Sequence, residues 1–172
     1  CKTPVVISIA KYFESKNKKV GIVSRGYGGQ YSQETLEVIS TSNPIECGDE
    51  PLLIKQQVKA PVVVAKKRAK AVEFLNEKYS LDVIVSDDGL QHYSMGRDIE
   101  ILVIDGRNRL GNGLFLPAGP LRESKNRLKS VDFIINNGSA LEGEISSQIE
   151  AKSYINLLTN EEKGLDFFFK IC

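Results

Sequence analysis

Asp87 and Asp88 directly follow the apolar run Val83-Ile-Val85. A carboxylate at the end of a rigid strand is what a P-loop protein uses to hold Mg²⁺ opposite a phosphate loop. Asp88-Gly89 is equally a turn pair, so a solvated turn stays open as the alternative. Lys2-Thr3-Pro4, followed by a helical pattern, has the form of the tail of a phosphate-binding loop. In that motif glycines let backbone N–H groups wrap the phosphates, Lys reaches the terminal phosphates and Ser/Thr ligates Mg²⁺. The glycines are missing here, and Cys1 stands where the last of them would be.

Asp49 and Glu50 offer a general base, because a hydroxyl attacking phosphorus must lose its proton. The competing role for Asp49 is to cap a helix beginning near Pro51. Arg25-Gly-Tyr-Gly-Gly29 places a cation on a flexible loop without the spacing of a dinucleotide fingerprint. His92, the single histidine, lies in a polar loop with no nucleophile beside it. Basic side chains gather at Lys66-Lys-Arg68 and again at Arg107, Arg109, Arg122, Lys125, Arg127 and Lys129. The second group surrounds a Gly/Pro-rich loop, where it could meet phosphates or an anionic bilayer.

These clusters need strands to position them, and the apolar pattern supplies candidates. Val20–Ser24, Leu36–Ile39, Val62–Ala65, Leu81–Val85, Ile99–Ile104 and Val131–Ile135 read as strands. Pro4–Phe13, Pro51–Val58 and Arg68–Tyr79 read as helices, the last with Val72 and Leu75 facing inwards. Short apolar strands with helices between them predict a doubly wound α/β fold, its parallel sheet covered on both faces. Four polar clusters then fall at the carboxyl ends of strands, where such sheets bind ligands. Tyr154–Leu158 reads as one further strand, and Phe167–Phe169 is apolar without a following element.

The 172 residues suit one domain, and net charge +1 argues against a nucleic-acid coat. Three widely spaced cysteines predict reduced thiols rather than a disulfide framework or a zinc site. No apolar run reaches the roughly 18 residues of a membrane span. A chain opening on Cys is expected to be a processed product or a fragment.

Five blocks occur in order: Lys2-Thr-Pro4, Val23-Ser-Arg-Gly-Tyr-Gly28, Gly48-Asp-Glu-Pro51, Ser86-Asp-Asp-Gly-Leu-Gln-His92, and Gly111-Asn-Gly-Leu-Phe-Leu-Pro-Ala-Gly-Pro-Leu-Arg-Glu123. Together they closely resemble the tetraacyldisaccharide 4'-kinase family, the lipid A kinases of Gram-negative bacteria, over residues 2 to 136. The resemblance implies a P-loop kinase fold with a mostly parallel sheet, using ATP and Mg²⁺. It implies transfer of the γ-phosphoryl group to the 4'-hydroxyl of a tetraacylated disaccharide 1-phosphate, giving lipid IVA. By the same likeness Lys2 contacts the β- and γ-phosphates, Thr3 ligates Mg²⁺, and Asp49 is the base. Asp87 and Asp88 form the acidic pair beside metal and phosphates. Arg25, Arg68, Arg122 and Glu123 match polar positions lining the site, Glu123 as a further metal ligand.

The family implies work at the cytoplasmic face of the bacterial inner membrane, on an anionic lipid surface and without nucleic acid. Its members carry an anchoring helix before the phosphate loop and a second lobe with a histidine paired to the catalytic Asp. Neither is in this sequence. Residues 1–136 are therefore expected to form the P-loop lobe, and 137–172 to begin the passage to a second lobe, with Glu161–Cys172 matching nothing. Two alternatives are a non-catalytic remnant that binds anions or nucleotide weakly, and another P-loop ATPase or synthetase.

Overall fold

In the computed structural model the described residues are 2–150, 153–155, 159 and 161–164. Helix α1 (Lys2–Ser15) leads into β1 (Val20–Ser24), followed by β2 (Thr35–Val38) and two helices, α2 (Pro44–Cys47) and α3 (Asp49–Gln57). Next come β3 (Val62–Ala65), α4 (Arg68–Lys78), β4 (Val83–Ser86) and β5 (Ile101–Asp105). A 3₁₀ helix at Lys125–Lys129 precedes β6 (Phe133–Asn137), β7 (Ile145–Ser147), β8 (Ser153–Ile155) and β9 (Glu162–Gly164).

Alternation along β1 and β3 decides the layering, because successive side chains leave a strand on opposite faces. Val20, Ile22, Val62 and Val64 pack with Val6 and Ala10 of α1 and Ile54 of α3. Val23, Val63 and Ala65 face the other way, onto Ala71 and Leu75 of α4. Helices thus cover both faces, and the expected doubly wound α/β arrangement is present. Val72 joins Leu75 on the inner side of α4, though only partly buried. Cys47 is a free thiol sealed in the first of these cores, where burial raises its pKa.

The sheet is not one continuous parallel layer. A four-stranded sheet runs β2-β3-β1-β4, and a separate three-stranded sheet runs β5-β6-β7, both mostly parallel. Within the first, β2 is antiparallel to β3. It is reached from β1 through residues 25–34 with no crossover helix, so the chain re-enters from the same end and runs back. The strand expected at Val131–Ile135 begins two residues later, at Phe133. Asp132 is occupied instead in joining Glu100, accepting from its amide at 2.7 Å. Only Tyr154 and Ile155 of the strand expected at Tyr154–Leu158 are described, in β8, whose partner β9 is antiparallel. Residues 156–158 and Phe167–Phe169 lie outside the described residues. The second sheet continues past residue 136, since β7 pairs with β6.

Strand β1 lies between β3 and β4, and in register Val23 pairs with Ser86. The chain leaves the carboxyl end of β1 to one side and returns through α4 to β4 on the other. The carboxyl ends of β1 and β4 are therefore neighbours at the point where loops diverge, which is where such folds hold ligands.

Candidate active site

The register of β1 and β4 builds the floor of the site. The amide of Asp87 donates to the carbonyl of Val23 at 2.8 Å, which carries the ladder one residue past β4. Asp87 is consequently almost wholly buried, at 2% exposure, with Ser24 Oγ donating to its Oδ2 at 3.3 Å. Burial, and next the negative charge of Glu50, raise its pKa above the usual carboxylate value; Lys2 acts in the opposite sense. Ser86 beside it has a buried hydroxyl with no hydrogen-bond partner.

The chain then turns. Asp88 has φ +50, a left-handed conformation in which its side chain points out of the sheet end while its carbonyl points back. Arg68, the first residue of α4, is 5% exposed and donates from Nη2 to that carbonyl at 2.8 Å. Burial lowers the Arg68 pKa, an effect that the charges of Asp88 and Asp87 oppose. Arg97 holds the next two carbonyls, Gly89 at 3.1 Å and Leu90 at 2.8 Å. The acidic turn is held by two guanidinium groups; it is a turn, as the alternative had it, with Asp88 half exposed and Asp87 buried.

Helix α1 points its N-terminus at this turn. Lys2 Nζ pairs with Asp88 Oδ1, and Thr3 Oγ1 donates to Glu50 Oε1 at 3.3 Å. The first backbone N–H groups of a helix have no intrahelical acceptor and, with the helix dipole, favour an anion there. Arg122 approaches from the second sheet's loops, 4.0 Å from Asp88 Oδ2 and 3.3 Å from Gln91 Oε1. The structure thus brings together Lys2, Thr3, Arg68, Asp87, Asp88 and Arg122.

Asp49 and Arg25 stand at the rim. Asp49 is the first residue of α3, exposed, and its carboxylate bonds to no described residue. The capping role is not the one it plays: Gly48 occupies the cap position, and no side chain caps this helix. Arg25 is exposed at the exit of β1, its carbonyl accepting from Tyr31 Oη at 2.9 Å. Its guanidinium charge nonetheless reaches Arg68 and His92. Glu123 is tied instead to Tyr93, which donates to Oε2 at 2.6 Å, and to Arg127 Nε at 3.3 Å. Its Oε1 is buried without a partner. His92 sits beneath the acidic turn, Nε2 3.2 Å from Ser94 Oγ, and burial with the charges of Arg68, Arg97 and Arg25 lowers its pKa. It is neutral at pH 7.

No group of three or more His, Cys, Asp or Glu side chains with metal-holding geometry occurs among the described residues. Thr3 Oγ1, Glu50 and the buried Asp87 lie together as an oxygen-donor set of the kind Mg²⁺ takes, with two carboxylates close enough to act on one another. The donor set therefore fits the metal. Arg97, Glu50, Ser24 and Tyr93 were not singled out as site residues from the sequence beyond Glu50's candidacy as a base. Ser24 lies within the Val23–Gly28 block; Arg97 bonds the Gly89 and Leu90 carbonyls besides its neighbour Glu100, and carbonyls carry no residue-type signal.

A family model described as Tetraacyldisaccharide-1-P 4'-kinase matches residues 1–165. A tetraacyldisaccharide 4'-kinase of Ruthia magnifica subsp. Calyptogena magnifica is 56% identical over 167 residues, 97% of this chain and 53% of that protein. One from Legionella pneumophila (strain Corby) is 52% identical, over 97% of this chain and 52% of that protein. Among solved structures, LpxK from Aquifex aeolicus in complex with ATP superposes with a TM-score of 0.75 at 29% identity, covering 98% of this chain and 56% of that one. The chain spans about half the length of the curated relatives it matches. With the family model matched over residues 1–165, through the last described strand, the chain belongs to the tetraacyldisaccharide-1-P 4'-kinase family.

Proposed function

We propose that this chain is the phosphate-handling part of a kinase that transfers the γ-phosphoryl group of ATP to the 4'-hydroxyl of tetraacyldisaccharide 1-phosphate in lipid A biosynthesis. Residues 1–136 carry the nucleotide machinery, and 137–172 lead towards the remainder of the enzyme. The acceptor is a lipid, so the reaction belongs at an anionic membrane surface, the cytoplasmic face of the inner membrane. No helix among the described residues is long and apolar enough to cross a membrane. The observation that carries the reading is the gathering at the head of α1, where Lys2 pairs with the turned-out Asp88 and Thr3 bonds Glu50, beside the buried Asp87. Family membership favours it over another P-loop ATPase or synthetase, and over a remnant without activity.

In this reading the α1 amides and Lys2 bind the β- and γ-phosphates, displacing the ammonium from Asp88. Arg122 and Arg25 neutralise charge that spreads over the equatorial oxygens, the main demand of phosphoryl transfer. Thr3 and Asp87, with Glu50 beside them, would hold Mg²⁺, which when bound would supply further charge neutralisation on the phosphates. Glu123, expected as a further ligand, is held by Tyr93 and Arg127 instead. Asp49 accepts the proton of the attacking 4'-hydroxyl, and its lack of an internal partner leaves it free to do so. Arg68 keeps Asp88 aimed outwards by bonding the carbonyl behind it.

The test is ATP-dependent phosphorylation of the disaccharide by the protein carrying this chain. Asp49→Ala is expected to lower kcat by about 10²–10⁴ with little change in KM for ATP. An unchanged kcat would remove Asp49 from the mechanism, and no phosphorylation by the parent protein would remove the reading itself.

A further inference from the structure

The block Gly111–Glu123 contributes Arg122 to the site, but its tip does something else. Leu114, Phe115 and Leu116 are consecutive and 52%, 54% and 61% exposed. Three large apolar side chains in a row are costly to leave in water, and an ordinary loop does not carry them. Nor is the tip loosely held. Leu116 N donates to Leu121 O at 3.0 Å, Leu121 N to Leu114 O at 3.1 Å, and Gly119 N to Phe115 O at 2.9 Å. Asn112 closes the base, accepting from Leu114 N at 3.1 Å and donating to Ala118 O at 2.8 Å. These backbone groups are satisfied inside the loop, which is the condition for entering an apolar medium without losing hydrogen bonds.

The charge around the tip selects the medium. Lys125 folds back against the loop, its Nζ so near Gly113 that a Cβ there would lie 2.6 Å away. Lys125 pairs with no carboxylate among the described residues. An apolar wedge with an unneutralised cation at its base matches an anionic bilayer, in which apolar side chains enter the acyl boundary while the cation stays at the headgroups.

We propose that Leu114, Phe115 and Leu116 form a wedge that inserts into an anionic lipid bilayer. The proposal rests on the membrane-surface reading above and gives it a place on the molecule. Because Leu121 braces the wedge and Arg122 touches Asp88, one loop sets both the depth of insertion and the position of a catalytic-site cation. A lipid acceptor could then keep its acyl chains in the bilayer while its sugar reaches the site.

These 172 residues contain no tryptophan, so Phe115→Trp places one reporter among them, read as a difference from the parent protein. Added to phosphatidylglycerol-rich vesicles, the indole is expected to shift to shorter wavelength and to be quenched by acyl-brominated lipid. The same change at Phe133, on β6, is expected to show neither response. Leu114→Ser with Leu116→Ser should weaken vesicle partitioning about 100-fold, close to tenfold for each side chain. Both side chains are largely exposed, so circular dichroism should be unaltered. Vesicle binding that survives the double substitution, with the indole unshifted, overturns the wedge but leaves the membrane reading standing. Absence of any vesicle binding by the parent chain overturns both. An indole already shifted before vesicles are added shows the tip covered by protein, and also overturns the wedge.

Discussion

At the scale of single residues, the site is governed by how deeply two adjacent aspartates sit. Asp87 is buried by the β1–β4 register and Asp88 is turned outwards by a positive φ, so chemically identical side chains occupy different environments. The burial of Asp87 has a thermodynamic consequence. Its pKa is raised in the folded state, so the fold holds the Asp87 proton more tightly than the unfolded chain does. The associated stability is complete below the unfolded value, about 3.9, and is lost as pH rises through the raised folded value. Asp87→Asn cannot ionise and escapes that loss. Its Tm is expected to lie about 2–4 °C above the parent at pH 7, with the gap closing below about pH 4, as thermal melts across pH will show. Activity should fall although stability rises. The residue types and their order were legible from the sequence, since strand followed by Asp-Asp-Gly is a local pattern. Arg97 and Arg68 as clamps were not, because every residue carries a carbonyl and a guanidinium that bonds one is announced by no partner residue type.

At the scale of elements, the start of α3 decides where the candidate base stands. Gly48 adopts φ +90, and a Cβ there would lie 2.8 Å from the carbonyl of Tyr27. That contact presses the Arg25–Gly29 loop onto the turn that presents Asp49. Gly48→Ala combines a strained backbone with a clash against main chain, and is expected to cost about 1–3 kcal/mol in urea unfolding. It should also reduce kcat, because α3 can relieve the clash only by carrying Asp49 away. The sequence suggested Asp49 as a cap, because a helix was expected to begin near Pro51, two residues on. The cap moved one residue upstream because α2 ends at Cys47 and only glycine accommodates the sharp corner between two helices. Element boundaries elsewhere shifted for similar reasons: α1 starts at Lys2 and β6 at Phe133, each set by contacts with distant residues rather than by local apolarity.

At the scale of the whole molecule, two sheets must be held in one arrangement for Arg122 to meet Asp88. A cluster of charged side chains supplies the link. Arg127 pairs with Glu100 at the entry to β5 and with Glu123, while Arg97, from the loop after β4, also reaches Glu100 at 3.2 Å. All four are at most one-fifth exposed. Arg127→Ala leaves two carboxylates without their main cation and is expected to cost about 1–3 kcal/mol. Because the link joins the sheets, the urea transition should also broaden, with a lower m, as the two halves lose cooperativity. A second tie, Arg109 to Glu144 at 2.6 and 3.1 Å, lies within the second sheet and holds the Glu144 pKa at about 2.

The order of apolar runs and polar blocks was sufficient for the α/β class, for helices on both faces, and for the family. Those features depend on local periodicity and on residue identity, both written along the chain. Tertiary structure alone decided that the sheet divides in two, that β2 runs backwards, that Asp87 is buried while Asp88 is not, and that Glu50 rather than Asp87 meets Thr3. These depend on which strand edges pair and which loops come to lie over which ends. Such pairings are fixed by the summed packing of residues up to 86 positions apart, as between Lys2 and Asp88, and no local pattern records them.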